Sequence, residues 1–339
     1  MKKVLSLLLV SVLLLALASL SAYAESETFR VAMVTDTGGI NDQSFNALAW
    51  AGLQRAEAEL GIEVKYFESK TEADYSPNME TAVDEGYDLV LCVGFMMADT
   101  VAEVAENYPD KMFAIIDNDS VGANVTGVQF ATEQCSYLVG VAAAKMTQTN
   151  NVGFVIGMVS PVMNTFGYGY YAGVKDTNPD VEIQAYNAND YGDVAGGKAA
   201  TINMYTNGAD IVYHAAGGTG LGVIQAAQEQ GKFAIGVDQD QSYLAPEAVL
   251  TSAVKRVDNG VFNLCEALVN GTLEGGVTVQ YDISTGAVDV ADTKDLLSEE
   301  AIAAIEEARA KILSGEIVVP GTTEAFEAIY GAELYTLDD

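Results

Sequence analysis

Three pairs of segments recur along this chain at an almost constant distance. SFNALAWAGL, from Ser44, aligns with TFGYGYYAGV, from Thr165, an offset of 121: a hydroxyl, a Phe, four residues, an aromatic, then Ala and Gly. GYDLVLCVGF, from Gly86, aligns with GADIVYHAAG, from Gly208, an offset of 122. KMFAIID, ending at Asp117, aligns with KFAIGVD, ending at Asp238, an offset of 121. Three matches in the same order argue for two copies of one structural unit, although repeated α/β units also resemble each other for packing reasons alone. A chain of 339 residues, half of them apolar, is long enough to give each copy its own core.

The repeated unit is α/β. Short apolar runs (FRVAMVT, IEVKYFES, YDLVLCVG and KMFAIID, then NVGFVIG, VEIQAYN, ADIVYHAA and KFAIGVD) alternate with helix-length segments. Strands apolar on both faces and spaced by helices predict parallel sheets built from βαβ units, hence two Rossmann-like lobes. Ligands of such sheets bind beyond the carboxyl ends of the strands. Asp117 and Asp238 fall there, with the Thr35–Asn46 loop, Gly94, Phe95 and the Ala216–Gly220 turn. If the lobes face each other, these loops converge on one interdomain cleft, a preferred place for a small molecule. Taken singly, each aspartate reads equally well as a helix cap or a solvated turn.

The chain begins with a basic Met1-Lys2-Lys3 followed by an apolar run, VLSLLLVSVLLLALA, and then Ala22-Tyr23-Ala24. That is the pattern of a signal peptide cleaved after Ala24, so an exported protein, periplasmic or extracellular, is expected. The formal charge is −32, or −34 without Lys2 and Lys3. Such a surface repels phosphate backbones and argues against nucleic acid as a partner. Cys92, Cys135 and Cys265 lack CxxC spacing and read as buried thiols.

Enzyme motifs do not assemble. GGTGLG, Gly217–Gly222, is not G-x-G-x-x-G, and no P-loop Lys follows it. The single histidine, His214, lies in an apolar strand, so neither a Ser-His-Asp triad nor a two-His metal site can be built. VTDTGGIND resembles the calcium loop of nucleoside hydrolases but carries Asn41 and Thr35 where that loop needs acids, leaving few oxygen ligands for a divalent cation.

In order along the chain, DTGGINDQSFN…W.G, GFMMADT, YPDKMFAIID, GVDQDQ and VLTSAVKRVD resemble the basic membrane protein family. These are purine-nucleoside-binding proteins of ABC transporters with the type I periplasmic-binding fold. The resemblance covers nearly the whole chain after residue 24. It implies a two-lobed, non-enzymatic receptor, monomeric and without cofactor or metal, that closes on adenosine, guanosine or inosine and delivers it to an ABC permease. It also implies three crossovers, with the first lobe at 27–126 plus 252–278 and the second at 127–251 plus 279–339. Two alternatives remain: a sugar or autoinducer receptor of the same fold, and a secreted calcium-dependent nucleoside hydrolase.

The resemblance assigns roles residue by residue. Phe45, of the SFN motif that Ser44 opens, implies a stacking wall for the purine. The second wall is Tyr191, in NDYGD where the family writes Phe, or Phe166, the repeat-mate of Phe45. Asp42 and Asp117 resemble the base-reading carboxylates, with Asn46 beside them. Asp238 and Lys255 resemble the pair that bridges the ribose hydroxyls. Gly94, Gly217 and Gly218 let the backbone approach the ligand, or are simply tight turns. The family's lipid-bearing cysteine has no counterpart in LASLSAYAES.

Overall fold

A computed structural model describes residues 28–293 and 295–337; the expected signal peptide lies outside these residues. The first unit runs β1 (Arg30–Thr35), α1 (Phe45–Leu60), β2 (Glu63–Phe67), α2 (Tyr75–Asp84), β3 (Leu89–Val93), α3 (Ala98–Asn107), β4 (Met112–Ile116) and β5 (Val125–Phe130). After α4 (Thr132–Met146) the series repeats: β6 (Asn151–Ile156), α5 (Pro161–Thr177), β7 (Glu182–Asn187), α6 (Val194–Thr206), β8 (Ile211–Ala215), α7 (Thr219–Gln230), β9 (Phe233–Asp238) and β10 (Val249–Lys255). The chain then returns to the first lobe with α8 (Val257–Val269) and β11 (Thr278–Tyr281). It ends on the second with β12 (Val288–Val290), α9 (Glu299–Ser314) and α10 (Thr323–Tyr330).

The two sheets have the same strand order, β11-β5-β4-β3-β1-β2 and β12-β10-β9-β8-β6-β7. Only β12 among these described strands runs antiparallel to its neighbour. This is the pair of Rossmann-like lobes the repeats predict. Central strands β3 and β8 are buried along their whole length, while the edge strands β2 and β7 are half-exposed and carry Lys65, Glu63 and Glu182. Charges on an edge keep its open hydrogen-bonding row from pairing with another chain.

The glycines that end the first matched pair have a shared reason. Helix α1 packs on α8 and α5 packs on α4, in each case backbone against backbone. A Cβ on Gly52 would lie 2.6 Å from the Asp258 carbonyl oxygen, and one on Gly173 would lie 2.1 Å from that of Tyr137. Any side chain there would force the helices apart. The copies differ at the helix start. Phe45 is the first residue of α1, whereas α5 begins earlier, at Pro161, with Ser160 Oγ accepting from the Met163 N–H at 3.1 Å. Phe166 therefore sits in the second turn of its helix.

The chain passes between the sheets three times, after Phe130, after Lys255 and after Tyr281. The boundaries expected at 126/127, 251/252 and 278/279 fall inside β5, β10 and β11. A strand pairs with its sheet as a whole, which moves each crossing to the strand end. We propose lobes of 28–130 plus 257–281 and 132–255 plus 282–337. The three cysteines are buried and free, in β3, α4 and α8, as their neighbours' apolar character predicts. No helix among the described residues is long and apolar enough to cross a membrane.

Candidate functional site

The carboxyl ends of β1, β3, β4, β8, β9 and β10 meet around a cavity between the lobes, the kind of interdomain place that small molecules occupy. The first lobe contributes Asp42, Phe45, Asn46, Gly94, Phe95 and Asp117 to its wall; the second contributes Phe166, Tyr191, Gly217, Asp238 and Lys255. Ser44 and Gly218 stand just behind, Ser44 bonded to Asp238 and Gly218 so close to Tyr191 that a Cβ would lie 3.0 Å from its carbonyl oxygen. All thirteen residues singled out in the sequence thus gather at one place.

The loop between β1 and α1 is held by its own polar groups. Asp42 Oδ1 accepts from the N–H groups of Ser44 and Ala47, both at 3.0 Å; Oδ2 accepts from the Asn46 N–H at 2.8 Å and from Asn46 Nδ2 at 3.0 Å. The backbone groups among them are otherwise unpaired donors at the helix start. A carboxylate offers about four acceptor positions, and here the protein fills them. Asp42 therefore anchors the loop. Asn46 is also committed: Nδ2 donates to Asp42 and, at 2.7 Å, to Asp36 Oδ1, while Oδ1 accepts from the Asp36 N–H at 3.3 Å.

Asp36 is the acid that sequence reasoning missed. It follows β1 directly, as Asp117 follows β4, and that shared position was the signal that could have found it. Oδ1 accepts from the Gly38 N–H at 2.9 Å, and Oδ2 faces Gly94, where a Cβ would come within 3.0 Å. Gly94 has φ +125 and so combines a backbone shape with a clearance that other residues lack. Burial raises the Asp36 pKa to about 7, against the lowering effect of its Asn46 and Gly38 hydrogen bonds. Burial likewise raises Asp42, and raises Asp238 to about 6, with the Lys255 charge and the Ser44 hydroxyl opposing. Met163, Ala215, Ala216 and Val237 complete the wall and were also unforeseen; apolar lining carries no motif.

The expected pairing of Asp238 with Lys255 is replaced by a crossed one. Lys255 Nζ donates to Asp117 Oδ2, and Ser44 Oγ donates to Asp238 Oδ2. Both contacts join one lobe to the other. Lys255 is only 2% exposed, and its ammonium lies 4.6 Å from the Phe45 ring centre, 5.3 Å from Phe130 and 5.7 Å from Phe166. Asp117 and Asp238, the repeat-mates, both adopt left-handed backbone, φ 66 and 67. Asp tolerates that region better than most residues. Over the cleft, the Gln43 carbonyl accepts from Gln239 Nε2 at 2.9 Å and Gln241 Nε2 at 3.1 Å, and Gln43 Oε1 accepts from the Tyr243 hydroxyl at 2.9 Å. The lobes are closed on each other.

His214 has the packing role its apolar strand implies. It is fully buried, with Nε2 3.0 Å from Gln241 Oε1, and burial lowers its pKa to about 4.

Residues 29–323 match the family model of PnrA-like ABC transporter substrate-binding proteins, Bmp. The chain belongs to the Bmp family. Among its Bmp relatives, the CD4+ T-cell-stimulating antigen of Listeria monocytogenes is 39% identical over 318 residues, 87% of this chain and 89% of the relative. The ABC transporter nucleoside-binding protein BmpA of Lactococcus lactis is 37% identical over 313 residues, 86% and 89% of the two chains. A crystal structure of an ABC transporter solute-binding protein from Aeropyrum pernix superposes with a TM-score of 0.81 at 28% identity, covering 89% of this chain and 96% of that one. The cleft described above therefore belongs to a substrate-binding protein of the ABC transporter kind.

Proposed function

We propose that the solute is a purine nucleoside, captured between the lobes of an exported monomer and passed to an ABC permease. The observation that carries this reading is one cavity between the lobes that joins aromatic rings from both of them to buried acids and a buried ammonium. The relative from Lactococcus lactis that is called nucleoside-binding supports it.

Phe45 is the stacking wall for the base, and Tyr191 stands at its edge. Phe166 shares the Lys255 ammonium with Phe45 and belongs to the pentose end. Asp36 and Asp117 read the base edge, taking over the task first expected of Asp42. Asp238 and Lys255 exchange their present partners, Ser44 and Asp117, for the vicinal hydroxyls of the ribose. Hydrogen bonds to charged groups are about twice as strong as neutral ones, so the pentose end contributes much of the affinity. Export uses residues 1–24, cleaved after Ala24.

Calorimetric titration with adenosine, guanosine, inosine, uridine and free ribose tests the reading. Heat is expected with purine nucleosides; none with any of them ends it. Saturable heat with ribose alone would instead indicate a sugar receptor. Release of hypoxanthine from inosine, abolished by EDTA, would indicate the hydrolase. Light scattering checks the monomer.

A further inference from the structure

Tyr191 lies in the loop between β7 and α6, and that loop is tightly fixed. The Tyr191 carbonyl accepts from the Thr219 N–H at 3.0 Å, the Asp190 carbonyl accepts from Thr219 Oγ1 at 2.9 Å, and Asp190 Oδ1 accepts from the Gly192 N–H at 2.6 Å. The ring is seated among glycines of both lobes. A Cβ on Gly157 would lie 2.3 Å from Tyr191 Cε1, one on Gly217 would lie 3.5 Å from Cδ1, and one on Gly38, across the cleft, 3.5 Å from Tyr191 Cβ. The residue is 9% exposed and lines the cavity, yet its hydroxyl is buried without a hydrogen-bond partner among the described residues.

An unpaired buried hydroxyl is uncommon in a folded protein. Burial, together with the charges of Asp36, Asp117 and Asp238, drives the Tyr191 pKa well above 10, so the phenol keeps its proton. The acids around it are already engaged: Asp117 with Lys255, Asp238 with Ser44, Asp36 with Asn46 and Gly38. Stacking needs only the ring, and the motif resemblance carries Phe at this position. The hydroxyl is an addition that stacking does not explain.

We propose that the Tyr191 hydroxyl donates a hydrogen bond to a lone pair on the bound heterocycle, and so selects ligands that place an acceptor there. In a purine the candidates are N3, N7, an unprotonated N1 and a carbonyl oxygen at C6. The proposal rests on the nucleoside reading and narrows it: Phe45 recognises a flat ring, whereas Tyr191 recognises where its acceptors are.

The test is a double-mutant cycle between Tyr191→Phe and ligand analogues. Dissociation constants are measured calorimetrically on both proteins for the tightest-binding purine nucleoside and for its 1-deaza, 3-deaza, 7-deaza and C6-unsubstituted analogues. Tyr191→Phe should weaken the parent about tenfold, in keeping with a hydrogen bond left unmade. One analogue should bind the wild type about tenfold worse and the variant no worse than the parent does. The variant without ligand should melt no lower than wild type, since it loses an unsatisfied group. Equal affinities of the two proteins for the parent, or the same loss on the parent and every analogue, would overturn the proposal while leaving the nucleoside reading intact. Wild-type protein that binds no purine nucleoside would remove both.

Discussion

Replacing Asp36 by Asn should stabilise the protein, and increasingly so as the pH rises. Asp36 is 6% exposed, and burial holds its carboxyl at about 7 instead of 3.8. The folded state therefore binds a proton that the unfolded chain releases near pH 4. A carboxyl raised in this way contributes stability at low pH and loses it as the pH climbs through the folded value, the reverse of a salt-bridged acid. A difference of this size between the two protonation states corresponds to about 4 kcal/mol. Most of the loss falls between about pH 4 and 7. In the Asp36→Asn variant the amide oxygen still accepts from Gly38 and Asn46, but the side chain never has to bury a charge. The assay is urea unfolding of wild type and Asp36→Asn at pH 4.5, 6 and 8. The variant should gain on wild type by roughly 3–4 kcal/mol over that range. Other titrations, such as that of His214, are common to both proteins and cancel in the difference. Parallel stability curves, or a variant less stable at pH 8, would refute the assignment of a neutral buried acid at this position.

Three further outcomes follow from the same geometry. Phe45→Ala should weaken all purine nucleosides alike, by roughly 1–3 kcal/mol per lost stacking contact by analogy with base–aromatic stacking, as read by calorimetry. Asp238→Ala should remove the preference for ribonucleosides over their 2′,3′-dideoxy forms, and competition binding with matched pairs would expose an unchanged ratio. Lys255→Met leaves Asp117 as a buried, unpaired carboxylate, so stability by urea unfolding at pH 8 should fall by about 3–5 kcal/mol; recovery of that loss in a Lys255→Met, Asp117→Asn double variant would tie it to the ion pair.

The sequence shows eight of the strands because each is a short, largely apolar run between turn signals, and every one of those runs forms a strand. It shows the duplication because Gly52 and Gly173 meet the same demand, a helix backbone crossing too close for a side chain. β5, β11 and β12 were not legible. VTGVQF contains a glycine whose Cβ would lie 2.3 Å from the Ser120 nitrogen, and TVQY and VDV are too short to show a period. Such strands exist because a partner from another part of the chain is beside them, and local pattern does not encode the partner. The crossovers shifted for that reason. Placement of the acids at strand ends was legible; their hydrogen-bond partners were not, since Ser44 meets Asp238, 194 residues away in sequence, only when the two lobes close together.

The crossed pairing also bears on what the duplication achieved. Asp117 and Asp238 occupy equivalent positions, with nearly the same left-handed backbone angle, so the two lobes supply one device twice. Two identical walls would favour a symmetric ligand. Divergence gave the copies unlike partners: an ammonium for Asp117, a hydroxyl for Asp238. It also gave them unlike aromatics, since Phe45 opens its helix whereas Phe166 stands in the second turn of a longer one. On the proposed reading the cavity has a cationic end around Lys255 for the ribose hydroxyls and an acid-lined end around Asp36 and Tyr191 for the base. Ser44→Ala with Lys255→Met removes both of these contacts between the lobes and should therefore loosen their closure, read as a larger radius of gyration by small-angle X-ray scattering.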